Sequence, residues 1–309
     1  MAESEEFIVV RGRRGKKGIK FRSKSKVAHA QESIGEESDV NFNLDSFTKR
    51  LDSCKQEIFM SDFFSRTYEQ ILSCLNEMYD RFDKHSTSEK DDSASAHRNN
   101  NRSQGNTCVK AEDERKLHIL SYGIGNFTSC LIARYQLAFL LALRDKLESQ
   151  CSACELFDPV FTIHERDVLA AYKCEVSPRN EEGKRSCHVP TIAFMPHCGK
   201  ALYNNFLWKN AASPGSALLF NFLLIGNSFD NMLQRTPTRQ LEKTANYVLK
   251  LQQYIREIQL DNSFTHKDIF NDLALHWFPL SQHSSILSKL DQDCEEPVYE
   301  ESEVELIRS

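Results

Sequence analysis

Leu117-His118-Ile119-Leu120-Ser121-Tyr122 runs directly into Gly123-Ile124-Gly125-Asn126-Phe127-Thr128. The first half of this stretch is a short, mostly apolar run of strand length. Two closely spaced glycines then permit a tight turn. Beyond them, helical spacing sets in from Thr128 to Leu147, with Leu131, Tyr135, Ala138, Leu141 and Leu147 near one face. Strand, glycine turn and helix in that order form the opening unit of a parallel α/β domain.

Downstream the alternation continues. Ala153–Asp158 reads as a second strand stopped at Pro159, and Thr162–Tyr172 as a helix with Thr162 and Glu165 spaced as a capping box. Cys174–Val176 and Thr191–Met195 are the third and fourth strands, with a helix from Lys200 to Asn210 after the fourth. Ser216–Ile225 is nearly all apolar and is predicted as a central fifth strand. Thr236-Pro237 opens a long helix carrying Leu241, Ala245, Val248, Ile255 and Ile258 on one face, and Leu273–Phe278 is the last strand. The expectation is an α/β, Rossmann-like domain over residues 115–280, with a mostly parallel sheet, flanking helices and right-handed crossovers.

Upstream, apolar residues from Leu44 to Phe82 recur at helical spacings, predicting one or two amphipathic helices over residues 44–83. Residues 84–114 are dominated by Ser, Asn, Asp, Lys and Arg; such a segment buries too little apolar surface to offset its ordering entropy and reads as a flexible linker. The net charge of −5 conceals a segregation. Arg11–Lys26 holds nine basic residues and no acid, and Asp291–Glu305 eight acids and no base. Like-charged blocks repel and seldom pack, so residues 1–43 and 281–309 are expected to be disordered tails, one basic and one acidic.

No apolar stretch reaches the roughly 20 residues needed to span a bilayer, and the opening Met-Ala-Glu-Ser-Glu-Glu lacks the layout of a secretory signal. Ten scattered cysteines in a chain of this length read as reduced thiols of a cytoplasmic protein, with nuclear import open to the basic block. That block also offers weak contact with nucleic acid or another anionic surface, although Phe21 is its lone aromatic, so no stacking platform is apparent.

Three places carry candidate chemistry. Gly123, Gly125, Asn126 and Thr128 form a turn whose amides suit a phosphate, and Asp158 lies at the strand tip where such folds hold a ribose hydroxyl. The fingerprint is incomplete: the third glycine of the dinucleotide pattern falls at Thr128, and the methyltransferase version meets Ser121 and Phe127. The same glycines would equally well close a strand-to-helix turn with no ligand. His197-Cys198 supplies a base and a thiol on the same sheet edge, but adjacent side chains seldom converge and no orienting third group is identifiable. Cys151-Ser152-Ala153-Cys154 has the spacing of half a zinc site, without a matching second pair, so no metal is expected. HExxH, GxSxG and GxxxxGK[ST] are absent. No cofactor is assigned; nicotinamide dinucleotide, S-adenosylmethionine and haem stay open.

The ensemble of motifs resembles the sensitivity-to-red-light-reduced family, the SRR domain proteins. Phe7-Ile8-Val9-Val10 before Arg-Gly-Arg-Arg-Gly resembles its amino-terminal signature. Tyr122-Gly-Ile-Gly-Asn-Phe, Ala133-Arg134-Tyr135-Gln136-Leu137-Ala138, Asp158-Pro159-Val160-Phe161, Met195-Pro196-His197-Cys198, Leu202-Tyr203-Asn204-Asn205, Gly226-Asn227-Ser228-Phe229 and His276-Trp277-Phe278-Pro279 follow in the family's order. The resemblance spans roughly Leu117 to Pro279. It implies a regulatory protein: plant members are linked to light signalling and circadian rhythm, animal members to haem biosynthesis and clock-gene expression. It implies no catalytic residue. Asn126, Asp158, Glu165, His197, Cys198 and Tyr203 match motif positions without an established role. Protein partners are implied but not identified.

Overall fold

A computed structural model describes residues 42–88, 116–147, 150–289, 294–300 and 306. The basic block and most of the polar linker lie outside the described residues. Two helices come first, α1 (Leu44–Phe59) and α2 (Asp62–Ser88). Asn43 starts α1 by accepting the Ser46 N–H at 2.7 Å, which satisfies one of the free donors of the first turn. The alternating units follow: β1 (Leu117–Tyr122), α3 (Leu131–Lys146), β2 (Cys151–Phe157), α4 (Ile163–Ala171), β3 (Glu175–Val176), β4 (Thr191–Met195), α5 (Lys200–Ala211) and β5 (Phe222–Asn227). Short helices α6 (Phe229–Arg235), α7 (Thr238–Thr244) and α8 (Asn246–Leu251) lead to β6 (Arg256–Gln259), β7 (Leu273–Trp277) and α9 (His283–Lys289).

The seven strands form one sheet in the order β3-β2-β1-β4-β5-β7-β6. The first five pair in parallel, while β7 runs antiparallel to both β5 and β6. This is the expected α/β class with its mostly parallel sheet and flanking helices. Side chains alternate across the sheet as strand geometry requires. Ile119, Ile192, Phe194, Leu223, Ile225 and Leu275 enter the core on one face; Leu120, Ala193, Met195, Leu224 and Phe222 enter the core on the other. Both faces being covered explains why β4 and β5 read as continuous apolar runs.

The amino-terminal helices belong to the first of these cores. Phe47, Leu51, Ile58, Phe63 and Ile71 are fully buried there with Leu137, Leu141 and Phe139 of α3. Phe63 stacks on Phe270 at 4.8 Å between ring centroids. Polar ties reinforce the contact: Lys55 to Asp145 at 2.9 Å, the Tyr135 hydroxyl to Glu57 at 2.6 Å, and the Trp277 indole N–H to Glu77 at 3.1 Å.

Three regions differ from expectation. The apolar run expected as strand from Ser216 divides: Pro214–Asn221 winds into 3₁₀ turns, with Gly215 and Ser216 at positive φ, and β5 starts only at Phe222. The long helix expected from Thr236 breaks at Ala245, whose φ of −154° is incompatible with a helix. Its last apolar residue, Ile258, lies on strand β6 instead. Beyond Pro279, the stretch expected as an acidic tail supplies α9 and a segment, residues 294–300, that lies along α5. The Tyr299 hydroxyl accepts from Asn204 at 2.7 Å and donates to Asn205 at 2.8 Å.

Candidate functional site at the carboxyl edge of the sheet

In an open α/β sheet, the crevice beyond the carboxyl ends of the strands, where the strand order reverses, is the usual ligand position. Here the reversal falls between β1 and β4. A pocket of about 220 Å³ opens there, lined by Gly123, Asp158, His197, Cys198, Leu202 and Leu306 among others. The fold thus gathers the glycine turn, the acid after β2 and the His-Cys pair after β4 at one place.

Several N–H donors of the glycine turn are engaged within the chain. Gly125 N–H donates to Asp158 Oδ2 at 2.8 Å, and Val160 N–H to the other carboxylate oxygen at 3.0 Å. Thr128 N–H donates to Glu165 Oε1 at 3.1 Å. Ser129 N–H donates to Asn126 Oδ1 at 3.0 Å. Glu165 turns its second oxygen to the Thr162 N–H at 3.1 Å, the glutamate half of the capping box at the start of α4. One buried carboxylate thereby joins the loop after β1 to the helix after β2. Arg134 secures the turn from the other side, donating to the carbonyls of Phe127 at 3.2 Å and Thr128 at 2.7 Å.

These contacts set the electrostatics. Burial pushes the Glu165 carboxyl up, but hydrogen bonds from Thr128 and Thr162 outweigh it, and the net shift is downward. For Asp158 burial wins over the Val160 and Gly125 amides, with the Glu165 charge adding to it, and the carboxyl is raised. A similar device closes α6. Glu257 on β6 accepts from Phe229 N–H at 3.0 Å and Asp230 N–H at 3.1 Å, and pairs with buried His276 at 3.2 Å. Negative charge at a helix start is stabilised by the free amides and the helix dipole. In this chain its own carboxylates provide that charge.

His197 and Cys198 do not converge. The His197 ring lies 3.1 Å from the Ile269 carbonyl through Nε2, and its backbone N–H donates to Asn227. Cys198 Sγ donates to the Tyr122 carbonyl at 3.4 Å. Burial pushes the Cys198 thiol up, away from the thiolate a nucleophile requires. The sulfur also explains one glycine: a Cβ on Gly123 would stand 2.5 Å from Cys198 Sγ, and the residue has a φ of +73°. Tyr203 is a fastener between strands. Its hydroxyl donates to the Met195 carbonyl at 2.5 Å and accepts from the Asn227 N–H at 2.9 Å, tying the ends of β4 and β5.

The sequence profile of the SRR1 domain matches residues 65–277. The chain belongs to the SRR1 domain family. It is similar to an SRR1-like protein of Mus musculus, 32% identical over 218 residues, which are 70% of this chain and 85% of that one. An SRR1-like protein of Drosophila melanogaster is 32% identical over 161 residues, covering 52% and 55% of the two chains. Protein SENSITIVITY TO RED LIGHT REDUCED 1 of Arabidopsis thaliana is 34% identical over 116 residues, 38% of this chain and 41% of that one. No solved structure matches. The family match begins inside α2, so the SRR1 pattern takes in part of the helical layer as well as the strands.

The edge also holds groups that the motifs did not point to. Arg185 makes a two-pronged contact with Glu155, both distances 2.8 Å, and binds Glu181 at 2.6 Å; Glu181 accepts the Tyr122 hydroxyl at 3.0 Å. Glu257 was hidden in a stretch with helical spacing. Among the described residues, no group of three or more His, Cys, Asp or Glu is placed to hold a metal. No described helix is long and apolar enough to cross a membrane.

Proposed function

We propose that this SRR1 domain protein is regulatory, acting through protein partners in circadian timing, clock-gene expression and the control of haem synthesis. Family membership supports the regulatory role. The Arabidopsis relative is named for reduced sensitivity to red light, a property of that protein. The rhythm and haem assignments rest on the family resemblance.

One observation carries the non-catalytic side of this proposal. The switch-point turn is neutralised from within by Asp158 and Glu165, and His197 and Cys198 bond to different carbonyls. An edge built this way offers a shaped surface rather than a base and nucleophile aimed at one atom. Cytoplasmic residence, with nuclear access through Arg11–Lys26, is part of the same proposal, as is weak anionic-surface contact by that block. The test is depletion and re-expression in rhythmic cultured cells, with a luminescent clock reporter and haem content as readouts. Depletion should change period, amplitude or haem level, and re-expression should restore it. Unchanged rhythm and unchanged haem would overturn the assignment.

A second reading keeps one observation in its favour. The pocket lies at the switch point and Gly123 and Asp158 line it, the place where Rossmann-like proteins bind a nicotinamide dinucleotide or S-adenosylmethionine, so such a ligand would sit beside the Gly123–Thr128 turn. Its volume of about 220 Å³ is small beside the roughly 300–1,000 Å³ of typical ligand pockets. Melting-temperature shifts with those cofactors distinguish the two readings.

A further inference from the structure

A second cavity, of about 510 Å³, opens near the start of β2, away from the glycine turn. Arg144, Asp145, Cys151, Cys154 and Tyr172 line it. Cys154 on β2 has a buried partner thiol, Cys174, with the two sulfurs 3.7 Å apart. Their closeness follows from register. Glu155 and Glu175 are paired residues of parallel strands, so the residues just before them are neighbours across the sheet edge. Adjacent strands lie about 4.8 Å apart, within the usual Cα separation for a disulfide.

The surroundings differentiate the two thiols. Arg144 Nη1 donates to Cys174 Sγ at 3.1 Å and to the Tyr172 carbonyl at 2.6 Å. Asp145 holds the far side of the guanidinium at 2.7 Å, fixing its direction. The hydrogen bond between the two sulfurs, helped by the Arg144 charge, lowers Cys174 against the effect of burial, while the same contact together with burial raises Cys154. A half-buried arginine aimed at one sulfur of a close pair gives the electropositive setting that favours a thiolate, with Cys154 at the cavity wall and Cys174 packed against it.

We infer that Cys174 and Cys154 form a peroxide-responsive dithiol site, with Cys174 the attacking thiolate, Cys154 the resolving thiol and a small hydroperoxide the substrate. In the first step the Cys174 thiolate attacks the terminal oxygen of the hydroperoxide. An S–O bond forms, the O–O bond breaks, and the leaving alkoxide or hydroxide takes a proton from solvent. Two electrons pass from sulfur to the peroxide, and Cys174 becomes a sulfenic acid. In the second step Cys154 sulfur attacks that sulfenic sulfur. The S–S bond forms, the S–O bond breaks, and hydroxide leaves with the Cys154 proton as water. Cys151, at the cavity wall, stays outside this pair: its thiol donates to the Ala153 carbonyl at 3.4 Å.

The test uses the full chain treated with one equivalent of hydrogen peroxide, quenched by alkylation and mapped by peptide mass spectrometry. The wild-type protein should give a Cys154–Cys174 linked peptide before any other cysteine is oxidised. In Cys154→Ser the sulfenic acid should persist and be labelled at Cys174 by a dimedone reagent. Arg144→Met should slow oxidation of Cys174 by about tenfold, the effect of losing a positive neighbour worth one decade of thiolate. Oxidation of exposed Cys130 or of Cys151 while Cys174 stays reduced would overturn the proposal, as would an unchanged rate in Arg144→Met. The wild-type map requires no variant to fold.

Discussion

The Asp158 carboxylate accepts the Gly125 N–H at 2.8 Å, across a gap of 33 residues in the chain. The turn that resembles a phosphate cradle thus holds a carboxylate of its own protein. Asp158→Ala removes that anion and leaves two part-buried amides without this partner, which costs about 1 kcal/mol. Urea unfolding should report the loss as a lower midpoint with an unchanged slope. Inorganic phosphate should raise the melting temperature of the variant more than that of the wild type, because the vacated amides then donate to an external anion. Equal phosphate response in the two proteins would mean that Asp158 does not occupy the anion position.

Glu165 gives the fold a dependence on acid. Its folded carboxyl titrates below the ordinary value of 4.5, so its stabilisation is present above that pH and disappears as pH falls through the lowered folded value. Glu165→Gln should cost about 1–3 kcal/mol at pH 7 and progressively less below pH 4.5. Chemical denaturation of both proteins across that range checks it. A penalty that stays constant with pH would remove the charge from the explanation.

Gly123 and Cys198 should be energetically coupled. In Gly123→Ala the new methyl meets Cys198 Sγ, and overpacking of this kind costs about 1–3 kcal/mol. Cys198→Ala removes the obstacle, leaving the positive-φ penalty of about 1–2 kcal/mol for a non-glycine residue. A double-mutant cycle in urea should therefore find the pair less destabilised than the sum of the singles. Strict additivity would place the strain elsewhere.

Tyr203→Phe deletes only the hydroxyl that joins Met195 to Asn227. The expected loss is about 1–3 kcal/mol, with faster hydrogen exchange at the Asn227 amide than at other β5 amides. A uniform rise in exchange along β5 would instead point to general loosening.

The parallel half of the sheet was legible because its strands are apolar runs punctuated by glycine or proline. Leu117–Tyr122 ends at Gly123, and Thr191–Met195 ends at Pro196. So was β7, expected over Leu273–Phe278, but the start of β5 and the whole of β6 were not. Leu218, Leu219 and Phe220 have no period that separates 3₁₀ turns from a buried strand, so the start of β5 was hidden. Arg256-Glu257-Ile258-Gln259 is short and polar, and the spacing of Ile255 and Ile258 suits a helix as well. At the site, Gly125, Asp158 and Glu165 stood out as residue types. Their mutual use of one another depends on contacts between distant segments, to which a local pattern is blind. Arg185 and Glu257 carried no local signal at all.

Asp158 and Glu165 of the chain itself accept the Gly125 and Thr128 amides at the carboxyl edge of this SRR1 domain, which leaves those donors unavailable to a phosphate. The most direct measurement is the melting temperature of the purified full chain with and without saturating nicotinamide dinucleotide, S-adenosylmethionine or haem, repeated for Gly125→Val. No shift with the dinucleotide or S-adenosylmethionine is the expected result, together with a lower baseline for Gly125→Val from the strained turn, since Gly125 has a φ of +79°. A shift of several degrees in the wild type that Gly125→Val abolishes would contradict the account and place a cofactor in the turn.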